Sequence, residues 1–159
     1  MKLAIALYML SMTAANLLVA QFGPAISPIL AFFLIGLDLS LRDWLHVRLR
    51  AIQMLGLIAS AGLLTHILNP AAGIIAVASS AAFTGAALVD WAVFAKLASK
   101  PWLIRSNASN VAGAAVDSII FPTIAFGALM PQIVAMQFVA KVAGGAVWSW
   151  IIHKKLEAA

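Results

Sequence analysis

An all-α, polytopic membrane protein is the fold class this sequence predicts, and three observations carry the prediction. Hydrophobic residues make up 64% of the 159 and charged residues 9%, against roughly 45–50% and about 25% in a soluble domain. Residues 3–37 and 51–89 hold no formal charge over 35 and 39 positions, each stretch longer than the ~20 residues that cross a bilayer as a helix. Neither stretch alternates apolar with polar residues as barrel strands do, so each crossing satisfies its backbone as an α-helix.

Proline, glycine and charge divide the chain into six apolar segments, roughly 3–21, 25–44, 50–68, 71–95, 106–128 and 131–152. The first follows Lys2 at once; it is long enough to span and has no small-x-small cleavage site near Gln21, so it is expected to stay as a helix. Gly23-Pro24 turns the chain into the second segment, and Arg42, Arg48 and Arg50 separate that segment from the third. Asn69-Pro70 links the third to the fourth, and Lys96, Lys100 and Arg105 lie between the fourth and the fifth. Met130-Pro131 opens the sixth, which Lys154 and Lys155 follow. Proline suits such turns and first helical positions.

Nine of the ten basic residues therefore gather at one end of the predicted spans. Cytoplasmic loops are enriched in Lys and Arg, which places both termini and the two basic loops inside. Residues 1–159 are expected to form one six-helix transmembrane domain. The five tryptophans, Trp44, Trp91, Trp102, Trp148 and Trp150, fall mostly toward the same ends, as interfacial anchors do.

Several function classes drop out. Without cysteine there is no disulfide, thiolate metal site or cysteine nucleophile. No GxxxxGK, HExxH or GxSxG string occurs, so no ATP-hydrolysing loop, zinc-protease helix or nucleophile elbow is written in the chain. The reading is of a non-enzyme without cofactor or metal. The net charge of +5 follows membrane topology and does not outline a phosphate-binding face, so no nucleic-acid partner is expected.

The informative residues are the polar ones inside apolar segments. Lys141 lies ten residues after Pro131, and Asp117 ten after Asn107; at 1.5 Å per residue both sit ~15 Å from a segment end, near the middle of the hydrocarbon. A charge there costs at least ~2.5–3.5 kcal/mol, so such residues face the bundle interior, pair, and mark a substrate or ion path. The competing reading is a structural ion pair. Helical spacing adds Asn110, seven before Asp117, and Gln137, four before Lys141. Ser79, Phe83, Ala87 and Asp90 fall on one stripe of the fourth segment, with packing through small residues as the plainer account. Gly144 and Gly145 are expected to permit close helix contact. Asp38, Arg42 and Asp43 close the second segment as gating or structural polar residues, with an i,i+4 surface pair of Asp38 and Arg42 as the alternative.

Three strings together resemble the VUT family of queuosine precursor transporters. They are Asp38-Leu-Ser-Leu-Arg42-Asp43; Ala78-Ser-Ser-Ala-Ala-Phe83 with Asp90 following; and Ser106-Asn107 leading to Val116-Asp117-Ser118, Phe121, Ala125-Phe126 and then Gln137 with Lys141. The resemblance covers all six segments, although this chain has shorter termini and loops than is usual in the family. It implies uptake of 7-cyano-7-deazaguanine or a related 7-deazaguanine across the prokaryotic cytoplasmic membrane, for transfer-RNA modification. The family is also likened to substrate-binding subunits of energy-coupling vitamin importers, so an energy-coupling module or a homo-oligomer is an allowed partner beside the bilayer.

The chemistry is compatible on its own terms. A deazaguanine offers two adjacent donors that match the two oxygens of one carboxylate, and a carbonyl that takes a donor from lysine or an amide. Asp117 with Lys141 or Gln137 supplies that set, and Phe83, Phe121 or Phe126 covers the ring face. Two other classes compete. One is a non-transporting membrane interaction subunit in which the central charges only pair helices, and the other is a membrane-embedded enzyme holding a metal on Asp38, Asp43 and Asp90.

Overall fold

The computed structural model describes residues 1–157, with the side chains beyond Lys154, including that of Lys155, outside the description. All regular structure among these residues is helical. Six helices are long and apolar enough to cross a membrane: α1 (Lys2–Phe22), α2 (Pro24–His46), α3 (Ala51–Leu68), α4 (Gly73–Lys96, entered by a 3₁₀ turn at Pro70–Ala72), α5 (Trp102–Ala125) and α6 (Pro131–Glu157). This is the all-α, six-span bundle that the charge-free stretches predict.

The helices close into a ring. Going round it, α1 packs on α3, α3 on α4, α4 along α5, α5 on α6, α6 on α2, and α2 back on α1. The second half of α2 also reaches α4 and α5 across the ring, so the residues from Gly36 to His46 occupy the middle of the bundle. The spans alternate in direction, which brings both ends of the described chain to the side of the 47–50 and 97–101 connections. That basic end carries Trp44 under the Arg48 guanidinium (3.8 Å to the ring centroid), Trp150 beneath Lys154, and Trp102 stacked on His153. The uncharged end turns at Gly23 and Gly127, the two positions with positive φ among the described residues (75° and 70°), where glycine carries no Cβ penalty.

Some boundaries differ from expectation, among them the end of the sixth helix, which runs on to Glu157. The fifth helix starts at Trp102, four residues before the predicted start, and ends at Ala125. Arg105 in its first turn is accommodated because its guanidinium lies 3.9 Å over the Phe94 ring and its Nε donates to the Phe94 carbonyl at 3.3 Å. Arg42 does not belong to the connection between the second and third spans. It sits inside α2, 2% exposed.

Helix α2 is irregular where it matters. After a 3₁₀ turn at Pro24–Ile26 and a short α segment at Ser27–Leu30, residues Ala31–Ile35 form a π turn before the helix resumes at Gly36, the kind of bulge often found at functional sites. It adjoins the crossing with α6, where the backbones nearly touch. A Cβ added at Gly36 would lie 2.6 Å from the Gly144 carbonyl carbon, and one at Gly144 would run into the Phe32 carbonyl. Gly144 and Gly145 therefore serve close helix contact, as expected.

Candidate functional site

The lysine and aspartate singled out by depth do meet. Lys141 on α6 and Asp117 on α5 form an ion pair, with both residues under 6% exposed. Asp117 is eight residues from the end of α5 and Lys141 ten from the start of α6, about 12 and 15 Å along their axes, so both lie in the half of the bundle away from the basic end. Lys141 Nζ also donates to Gln137 Oε1 at 2.8 Å and to Ser118 Oγ at 3.2 Å, which occupies all three ammonium hydrogens. The chain continues from Gln137 Nε2 to Ser27 Oγ (2.9 Å) and from Ser27 Oγ to the Pro24 carbonyl (2.6 Å). A relay of hydrogen bonds thus ties the centre of α5 and α6 to the irregular start of α2. Pro122 sits one turn past the pair and leaves the Ser118 carbonyl without its helical donor.

This relay forms one wall of a tight cavity of about 30 Å³. Asp117, Lys141, Gln137, Phe83 and Phe121 line it, and so does Ser79. Two polar residues not singled out in the sequence also line it, Asn16 and Ser27. Asn16 donates to Thr65 Oγ1 at 3.2 Å and is 2% exposed. The asparagine, the one carboxamide in the middle of the first span, was the available signal, because polar groups inside a membrane face the bundle interior. Ser27 stands between two prolines and reads as a turn residue. Phe126 contacts Phe121 edge-on at 6.0 Å and is not among the residues lining the cavity.

The remaining predicted residues assemble nearer the basic end. Asn110 shares a helix face with Asp117, as the seven-residue spacing implies, but lies about 10 Å further along the axis and donates to Ser106 Oγ (3.4 Å) and Ser149 Oγ (3.3 Å). Ser149 is also 2.8 Å from Ser106 and 3.0 Å from Ser40. Asp43 accepts from Ser106 (2.5 Å) and Ser109 (3.3 Å). Arg42 Nε lies 3.6 Å from Asp90 Oδ2, so the arginine pairs across to α4. The alternative of an Asp38–Arg42 pair at the surface does not hold: Asp38 is 0% exposed, and neither of its oxygens has a hydrogen-bond partner within the protein.

The polar interior thus has two layers. One is the Asp117–Lys141 cavity, and the other is a network that joins α2, α4, α5 and α6 at the basic end. No three His, Cys, Asp or Glu side chains among the described residues come together in a way that could hold a metal ion, which is the arrangement that a metal enzyme built on Asp38, Asp43 and Asp90 needs.

No curated protein and no solved structure matches the chain. One family does, over residues 2–153, which takes in the whole of the first five spans and nearly all of the sixth, including both polar layers. Its description is "Putative vitamin uptake transporter", and the chain is a member of that vitamin uptake transporter (VUT) family.

Proposed function

We propose that this protein imports a 7-deazaguanine precursor of queuosine, with 7-cyano-7-deazaguanine as the leading candidate, across the prokaryotic cytoplasmic membrane for transfer-RNA modification. In this reading residues 1–159 act as one transport domain with both termini in the cytoplasm, since the basic end of the bundle is the side the positive-inside rule assigns there. One observation supports the reading above the others: a buried carboxylate, ammonium and carboxamide line one cavity together with two phenylalanines, in the half of the bundle away from the basic end.

The same geometry suggests how the base is taken up. With the site empty, the Asp117 carboxylate is neutralised by Lys141, so no charge stands alone in the hydrocarbon. The base presents its ring N–H and exocyclic amine as paired donors to Asp117, while Lys141 and the Gln137 amide turn to its carbonyl. Phe83 and Phe121 supply apolar cover for the ring. Ligand pockets of about 300–1,000 Å³ are usual, and here little of the space admits even water. In this reading the start of α2, irregular and tied to the site through Ser27, moves away to admit the base.

The test is uptake in cells that cannot make the precursor. Expression of this chain, at verified membrane levels, is expected to restore queuosine in transfer RNA from externally supplied 7-cyano-7-deazaguanine. Persistent absence of queuosine under those conditions refutes the substrate assignment.

A further inference from the structure

A second cavity opens in the basic half of the bundle, between α2, α3 and α4. It is the roomier of the two, with a cavity volume of about 120 Å³ against about 30 Å³ for the first. Its walls are apolar and aromatic, including Met54, Ile58, His46 and Trp91, and Arg42 and Asp90 are its charged groups. Arg42 is 2% and Asp90 1% exposed. None of the three guanidinium nitrogens has a hydrogen-bond partner within the protein, and the Asp90 carboxylate has only the Asp43 carboxyl within hydrogen-bonding reach. Buried charges are normally satisfied by both a counter-charge and hydrogen bonds. Here the counter-charge is present at 3.6 Å and the hydrogen bonds of the guanidinium are not.

We propose that this cavity is a second, inner station for the same 7-deazaguanine base on its way to the cytoplasm; the inference rests on the substrate reading above. The chemistry of the first cavity is repeated here: a buried carboxylate for the paired donors, a buried cation for the carbonyl, and aromatic cover. A guanidinium in place of an ammonium adds a planar fork of donors matched to an acceptor edge. Both cavities also share one stripe of α4. Ser79 and Phe83 line the first, and Ala87 and Asp90, one and two turns further on, line the second. From Ser79 to Asp90 is about 16 Å along the helix, and Phe83 of the first cavity shares one buried cluster with Tyr8 and with Met54 and Ile58 of the second. A base that leaves Asp117 thus meets a like site before it reaches the basic end.

A photoreactive azido analogue of the 7-deazaguanine, applied to the purified protein in lipid nanodiscs and mapped by peptide mass spectrometry, tests this. Labelling is expected in two groups of peptides, one around 79–83 and 117–121 and one around 46–58 and 87–91, both displaced by excess unlabelled 7-cyano-7-deazaguanine. Asp117→Asn is expected to remove the first group only, and Asp90→Asn the second only. Because Asp90→Asn touches a buried pair, Ala51→Trp provides an independent block: Ala51 lines the second cavity and is exposed at the start of α3. It too is expected to remove the second group and leave the first at the wild-type level. Displaceable label confined to the first group in the wild type overturns the inner station and leaves the substrate reading intact. Label in the second cavity that excess base does not displace identifies an apolar groove open to lipid or detergent and overturns it as well. No displaceable label in either cavity refutes the substrate reading itself.

Discussion

The Asp117–Lys141 pair is built asymmetrically, and that asymmetry sets what each substitution costs. Lys141 keeps two acceptors if Asp117 is changed, Gln137 Oε1 at 2.8 Å and Ser118 Oγ at 3.2 Å. Asp117 has Lys141 as its partner and accepts no other hydrogen bond among the described residues. Lys141→Met therefore strands a buried carboxylate with no donor, the situation that costs ~3–5 kcal/mol. Asp117→Asn leaves an ammonium with two neutral acceptors and removes one charge-assisted bond, about 1.5–3 kcal/mol. The double variant Asp117→Asn/Lys141→Met removes both charges and is expected to unfold within about 1 kcal/mol of the wild type. That implies a coupling energy of about 3.5 kcal/mol or more in a double-mutant cycle. Denaturant-induced unfolding of the four proteins in detergent micelles measures it. If Asp117→Asn is as destabilising as Lys141→Met, or if the two effects simply add, the hydrogen-bond arrangement around Lys141 does not govern the pair's energetics. The same double variant separates structure from recognition: a base-reading pair leaves it folded but unable to take up 7-cyano-7-deazaguanine, whereas a purely structural pair leaves it folded and active.

Three further expectations follow from other parts of the bundle. Gly144→Ala drives a methyl into the Phe32 backbone at the α2–α6 crossing and is expected to destabilise by about 1–3 kcal/mol. Gly56→Ala, where nothing lies within 4 Å of the new Cβ, should gain up to about 1 kcal/mol from helix propensity; melting temperatures that move in the same direction for both argue against a tight crossing. Ser149→Ala removes a hydroxyl shared by Ser40, Ser106 and Asn110 and is expected to cost about 1–3 kcal/mol, with unfolding measured against Ser149→Thr. The chain contains no cysteine, so single cysteines report topology without background. Those placed at Arg48 or Lys100 should react with a membrane-impermeant maleimide only after the cells are opened, and those at Asn69 or Leu129 in intact cells. The reverse pattern would place the basic end outside.

How far the site was legible in the sequence depended on what kind of information each residue carried. Charge at depth is unambiguous, because an ion in hydrocarbon must find a partner, and Asp117 and Lys141 found each other. Helical periodicity also held, since Asn110 does share a face with Asp117 and Gln137 does reach Lys141. Periodicity fixes a direction around one helix, however, and says nothing of which neighbour stands there or at what height. Asn110 therefore joined Ser106 and Ser149 in a layer about 10 Å away. Arg42 shows the limit most clearly. Its i,i+4 relation to Asp38 is local and visible, whereas its actual partner, Asp90, lies 48 positions on. It is reached past Gly113, where an added Cβ would lie only 3.1 Å from the guanidinium. The room for that arm comes from a residue type that reads in the sequence as ordinary small-residue packing. The single stripe of Ser79, Phe83, Ala87 and Asp90 is likewise correct as a stripe, and only tertiary packing divides it between two cavities, with α1 and α2 closing one and α2 and α3 the other.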